Sequence, residues 1–143
     1  MTVAALIAWI LAASGGSVLL ATWIRNGGQR SGTSRFPPAL IFGHFALAAV
    51  GLVLWIIYVA TDTSALAWTA FVLLVVVALL GFTMFLRWLP TYRGQTSTEG
   101  STAQPSGALA ERHFPVAVVA GHGALAVTTV VLVLLAALGV GGS

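Results

Sequence analysis

Four stretches of this chain run for about 20 residues or more with hardly a charge, and that constrains the fold more than anything else in it. A helix rising about 1.5 Å per residue needs about 20 apolar residues to cross a hydrocarbon core of about 30 Å. Within lipid only helices and closed barrels satisfy every backbone polar group. Segments 2–24, 37–61, 64–89 and 114–140 have that length. Composition agrees: hydrophobic residues make up 59%, charged residues 6%, and the mean hydropathy is +1.02. The expected fold is an all-α, four-helix transmembrane bundle forming one domain, with polar connections at 25–36 and 90–113.

The boundaries follow from local chemistry. Pro37-Pro38 and Phe114-Pro115 mark the starts of the second and fourth helices, because proline suits a first turn whose amides have no helical partner. The turn Thr61-Asp62-Thr63-Ser64 brings the third helix back antiparallel to the second. There Asp62 serves as a cap or turn residue. Tyr92–His113 is rich in Gly, Ser, Thr and Gln and has no hydrophobic period, so no regular structure is expected in it. The first segment lacks a basic start and a small-residue cleavage site, which reads as a retained anchor. At its centre, Ser14-Gly15-Gly16-Ser17 offers close approach to a neighbouring helix or to a flat ligand.

All six basic side chains are arginines: Arg25, Arg30, Arg35, Arg87, Arg93 and Arg112. Every one falls at the first–second or third–fourth connection. By the positive-inside rule these connections face the cytoplasm of a bacterial inner membrane, with both ends of the chain outside. Trp23, Trp88 and Tyr92 would lie at that interface, and Trp55, Tyr58 and Trp68 near the other. The charge is a topology signal, and no basic patch interleaved with aromatics suggests nucleic acid. The absence of cysteine excludes disulfides, thiolate metal sites and covalent haem attachment. No nucleophile–base constellation, phosphate loop or carboxylate pair is present. A hydrolase or nucleotide-dependent enzyme is therefore not expected, and whether the chain catalyses anything is left open.

The chain also repeats itself. GHFALA at Gly43–Ala48 returns as GHGALA at Gly121–Ala126, and each copy follows a Phe-Pro pair by the same interval (122 − 44 and 114 − 36 are both 78). Weaker matches join the first and third helices at Ala5/Ala70, Ala13/Ala78, Gly16/Gly81 and Trp23/Trp88. This pattern predicts a tandem two-helix repeat about an axis along the membrane normal. In an up-down bundle such an axis sets the second and fourth helices on a diagonal, with His44 and His122 at equal depth.

Ionisable rings in hydrocarbon need partners and are functional candidates. One partner is haem b, with His44 and His122 as its two axial ligands. Gly43 and Gly121 would then leave room for the macrocycle, and Arg35, Arg112 and His113 would stand on the propionate side. Each ligand's second ring nitrogen could reach a carbonyl one turn earlier, near Leu40 or Val118. A bare metal is disfavoured for want of further ligands. A proton or quinone site, and plain packing through hydrogen bonds, stay open. Glu99 is assigned to a mobile loop, and Glu111-Arg112 reads as a surface ion pair.

The segments GHFALAAVGLVLWIIY and GHGALAVTTVVLVLLAAL resemble those of small four-helix membrane proteins of actinobacterial type. More distantly, histidines on two helices of a small bundle are similar to cytochrome b561-type proteins and to the haem-bearing anchors of succinate dehydrogenases. That similarity implies b-haem electron transfer by an accessory or anchor subunit of a membrane redox complex, with one haem rather than two. Its partners would be the bilayer and a redox complex or further copies of the chain. The competing expectation is a non-haem interaction or assembly protein. A transporter is disfavoured by the lack of a polar pathway.

Overall fold

The computed structural model describes residues 1–97 and 109–140, with no side-chain description for 95–97. Among these residues the protein is all-helical. Four long helices, α1 (Thr2–Arg25), α2 (Pro38–Thr61), α3 (Ser64–Ser97) and α4 (Val116–Ala137), are joined by a short 3₁₀ helix at Ala110–His113. All four are long and apolar enough to span a membrane. Glu99 and the final glycines lie outside the described residues.

The starts of α2 and α4 match their sequence signals: Pro37 and Pro115 are extended caps with φ −58° and −65°. Asp62 acts through its backbone, taking the left-handed conformation (φ 53°) and donating its N–H to Tyr58 O at 2.8 Å. This closes α2 and turns the chain into α3.

α3 is longer than its composition suggests. It continues through Pro90 to Ser97 rather than stopping near Leu89. Proline removes one helical hydrogen bond, and side chains on either side of it pack together as the helix continues. Trp88 and Tyr92 stack across Pro90 at 5.1 Å, and Thr91 is buried. The stretch expected to be irregular therefore contributes helix at its start and the 3₁₀ turn at its end.

Neighbouring helices run antiparallel. α1 packs most extensively on α4 and α2 on α3, with lighter seams between α3 and α4 and between α1 and α2. The diagonal pairs have no Cα atoms within 8 Å among the described residues. The bundle is thus two tightly packed antiparallel pairs, α1/α4 and α2/α3, set face to face.

Burial repeats with the sequence. Residues 78 apart share their state (Ile41 and Val119 pack in one cluster; Trp55/Val133 and Tyr58/Ala136 are buried), as do residues 65 apart (88 − 23 and 70 − 5 are both 65) in Ala5/Ala70, Trp9/Leu74, Ala12/Val77 and Trp23/Trp88. The tandem two-helix architecture is therefore built into the packing. Phe36 and Phe114, equivalent under the repeat, stack on each other at 6.2 Å. They mark where the pseudo-axis leaves the bundle at the end carrying the long connections, called the loop end below.

Two apolar clusters fill the interior. One lies towards the turn end around Trp9, Trp55, Tyr58, Leu74 and Val133, and the other at the loop end around Trp23, Phe36, Ile41, Trp88 and Ala110. The tryptophans expected as interfacial anchors thus stand at the right ends but point inward: Trp23, Trp55 and Trp88 are buried, and only Trp68 is exposed. Helices that are apolar on every side carry no sequence signal of which face turns in.

Candidate functional site: a facing histidine pair

Between the two clusters lies a layer of small residues and imidazoles. α2 carries His44 into it and α4 carries His122, and their ring centroids are 6.4 Å apart with the planes inclined by 66°. The two residues read from the sequence as a pair therefore meet across the diagonal, on the pseudo-axis. Both are half-buried.

Each imidazole is oriented by the helix packed against its own, which belongs to the other two-helix repeat, and not by its own helix. His44 Nδ1 lies 3.0 Å from Val77 O on α3, and His122 Nδ1 lies 2.8 Å from Ala12 O on α1. The expected bonds to carbonyls near Leu40 and Val118 are not made. Val77 and Ala12 lie one turn before Gly81 and Gly16, and without a Cβ at those glycines each ring leans across the helix–helix seam onto the carbonyl's second lone pair. Val77 and Ala12 are equivalent under the repeat, so one hydrogen bond is used twice.

A carbonyl only accepts, so Nδ1 must donate in both rings, and a neutral ring then keeps its lone pair on Nε2. Neither Nε2 makes a hydrogen bond among the described residues. The backbone has thus fixed the tautomer that a metal–imidazole bond through Nε2 requires.

Glycine makes the approach possible. A Cβ at Gly16 would lie 3.0 Å from His122 Cε1, and one at Gly81 would lie 3.1 Å from His44 Cε1. Gly15 also abuts His122. The Ser14–Ser17 patch therefore receives a flat ring, though that ring belongs to the protein. Gly43 and Gly121, beside the histidines in sequence, have nothing within 4 Å of where a Cβ would stand. From Val116 to Thr128, α4 has no fully buried residue.

The cationic candidates lie at the loop end. Arg35 and His113 have exposed side chains, and Arg112 is half-buried. His113 Nδ1 is 3.3 Å from Ala110 O in its own 3₁₀ turn, and no bond joins Arg35 or His113 to either imidazole. The structure brings His44 and His122 together and leaves these three near the surface.

Sequence reading missed Glu111. It is not a surface residue: it is wholly buried, Oε1 accepts the Arg35 N–H at 2.6 Å, and Oε2 has no partner. The Arg35 carbonyl accepts from Arg87 Nη1 at 3.1 Å, and Ala110 N donates to Thr33 O at 2.8 Å. Glu111 thereby ties the two long connections together where α2 and α4 begin. No local signal marks a lone Glu beside an Arg as buried.

No group of three or more His, Cys, Asp or Glu side chains among the described residues could hold a metal ion by itself. A scan against protein-family models finds no match, and searches of curated proteins and of solved structures find none.

Proposed function

We propose that the protein is a b-type haem-binding electron-transfer protein of a bacterial cytoplasmic membrane, with His44 and His122 as the axial pair. One observation carries this reading: two imidazoles face each other at 6.4 Å, each with Nδ1 tied to a backbone carbonyl. Metal–imidazole bonds of about 2.0–2.1 Å, with roughly 1.1 Å more from nitrogen to ring centre, place two coaxial ligands about 6.3 Å apart. The observed ring separation supports this reading. Open backbone at Gly43 and Gly121 supports room for a macrocycle, and apolar clusters on both sides would keep water from it.

When bound, haem supplies reversible one-electron chemistry, and the protein supplies the setting. Ala12 and Val77 carbonyls orient the ligands and raise their basicity. Gly16 and Gly81 set how closely each ring lies against its neighbouring helix. Arg35 and Arg112 place positive charge, and His113 a hydrogen-bonding ring, at the end where acidic substituents would meet water. One histidine pair supports one haem, suiting an accessory or anchor subunit within a membrane redox complex. The arginine-bearing connections are assigned to the cytoplasm and both chain ends to the outside.

The test is the reduced-minus-oxidised absorbance spectrum of protein purified in detergent after expression with ample haem. Wild type should show a low-spin b-type spectrum, and His44→Ala and His122→Ala should each abolish it while the protein stays inserted. Unchanged spectra in both variants would remove the ligand assignment. A colourless wild type would favour the second reading, in which the rings only pack and hydrogen-bond. That reading draws on the same bonds to Val77 O and Ala12 O, which already satisfy one nitrogen of each ring.

A further inference from the structure

Where α1 leaves the apolar core, its last turn and the following loop form a cavity of about 380 Å³ lined by Ile24, Arg25, Asn26, Gly27, Gln29 and Arg30. Its walls are set by backbone. Gly27 is left-handed at φ 73°, its carbonyl accepts from Arg30 N at 2.9 Å and Thr33 Oγ1 at 2.7 Å, and Asn26 Nδ2 holds Thr22 O at 2.8 Å. Arg30 folds back over Gly27, so a Cβ there would lie 3.5 Å from Arg30 Cδ. Arg25 and Arg30 thus line the same cavity.

Among the described residues no acidic side chain offsets these two charges. Neither the Arg25 nor the Arg30 guanidinium makes a hydrogen bond or ion pair among the described residues. The chain has only three acidic residues. Asp62 is at the opposite end, Glu111 is buried against Arg35 N, and Glu99 is outside the described residues. The cavity also has an apolar lip, because Ile24 is 42% exposed on the outward side of α1. A pair of guanidiniums above an exposed aliphatic residue, at the end of a membrane-spanning helix, matches a phosphate whose acyl chains descend along the helix.

We infer that this cavity is a binding site for the phosphate of an anionic phospholipid headgroup. The site is independent of the histidine pair and of the haem reading.

Native mass spectrometry of the purified full-length protein, titrated with phosphatidylglycerol, phosphatidylcholine or inorganic phosphate, tests it. One phosphatidylglycerol should be retained per chain in preference to phosphatidylcholine. Arg25→Gln with Arg30→Gln should weaken binding about 30-fold, about fivefold for each guanidinium. Arg25→Lys with Arg30→Lys should hold within a few-fold, showing that loss in the glutamine pair is not misfolding. Arg93→Gln, equal in charge to one of these changes but outside the cavity, should leave binding unaltered. Four results would each overturn the assignment: equal retention of phosphatidylcholine, undiminished binding in the glutamine pair, a matching loss in Arg93→Gln, or displacement of lipid by millimolar inorganic phosphate.

Discussion

At the scale of single residues, glycines decide what the imidazoles can do. Gly16 and Gly81 stand where any side chain would press on a ring, at 3.0 and 3.1 Å from His122 and His44. Gly16→Val and Gly81→Val should each cost about 1–3 kcal/mol through overpacking, read as a lower denaturation midpoint in detergent. Both should also reduce haem retention, and by similar amounts, because the two positions are equivalent. Gly43 and Gly121 meet nothing, so alanine there should be neutral or stabilise the helix by up to about 1 kcal/mol. Gly43→Leu and Gly121→Leu separate room for a cofactor from packing. They should leave the haem-free protein as stable as wild type and lower only its capacity for haem. A stability loss without a change in haem content would show that these positions serve the bundle alone.

At the scale of elements, the loop end depends on one buried carboxylate joining two connections distant in sequence. Glu111→Ala would leave the Arg35 N–H without its acceptor, at a cost of about 1–3 kcal/mol. Glu111→Gln keeps an amide oxygen in the same place and should cost less than half as much. Unfolding in detergent would rank the two, and faster proteolysis between α1 and α2 in the alanine variant would locate the damage. A glutamine variant as weak as the alanine one would mean that charge, and not the hydrogen bond, holds the clasp. The same end shows why α3 could not be delimited from composition. Pro90 is a fair stop signal, yet stacking of Trp88 on Tyr92 and burial of Thr91 carry the helix past it.

At the scale of the whole molecule, the protein is a repeat whose two halves interlock. α1 packs on α4 and α2 on α3, so each half positions the other half's histidine. Losing either histidine should therefore abolish the spectrum to the same degree. Orientation is testable separately. A reporter active only outside the cytoplasm should work when fused after Ser143 or inserted at Thr63, and fail within 28–33. Replacing Arg25, Arg30 and Arg35 together by serine should make the first hairpin's orientation mixed, since the remaining arginines act only on the second.

Number of spans, clustering of arginines at one end, the two-helix repeat and the pairing of His44 with His122 all follow from residue order. Each depends on length, charge or spacing, quantities that a chain carries before it folds. The sequence did not reveal how far each helix is rotated about its axis, because an all-round apolar helix has no preferred face until side chains interlock. That rotation turned Trp23, Trp55 and Trp88 inward, set the rings against Val77 and Ala12 carbonyls instead of those near Leu40 and Val118, and drew Glu111 out of water. These outcomes were decided by packing between segments far apart in the chain, where the fit of one side chain depends on every neighbour at once.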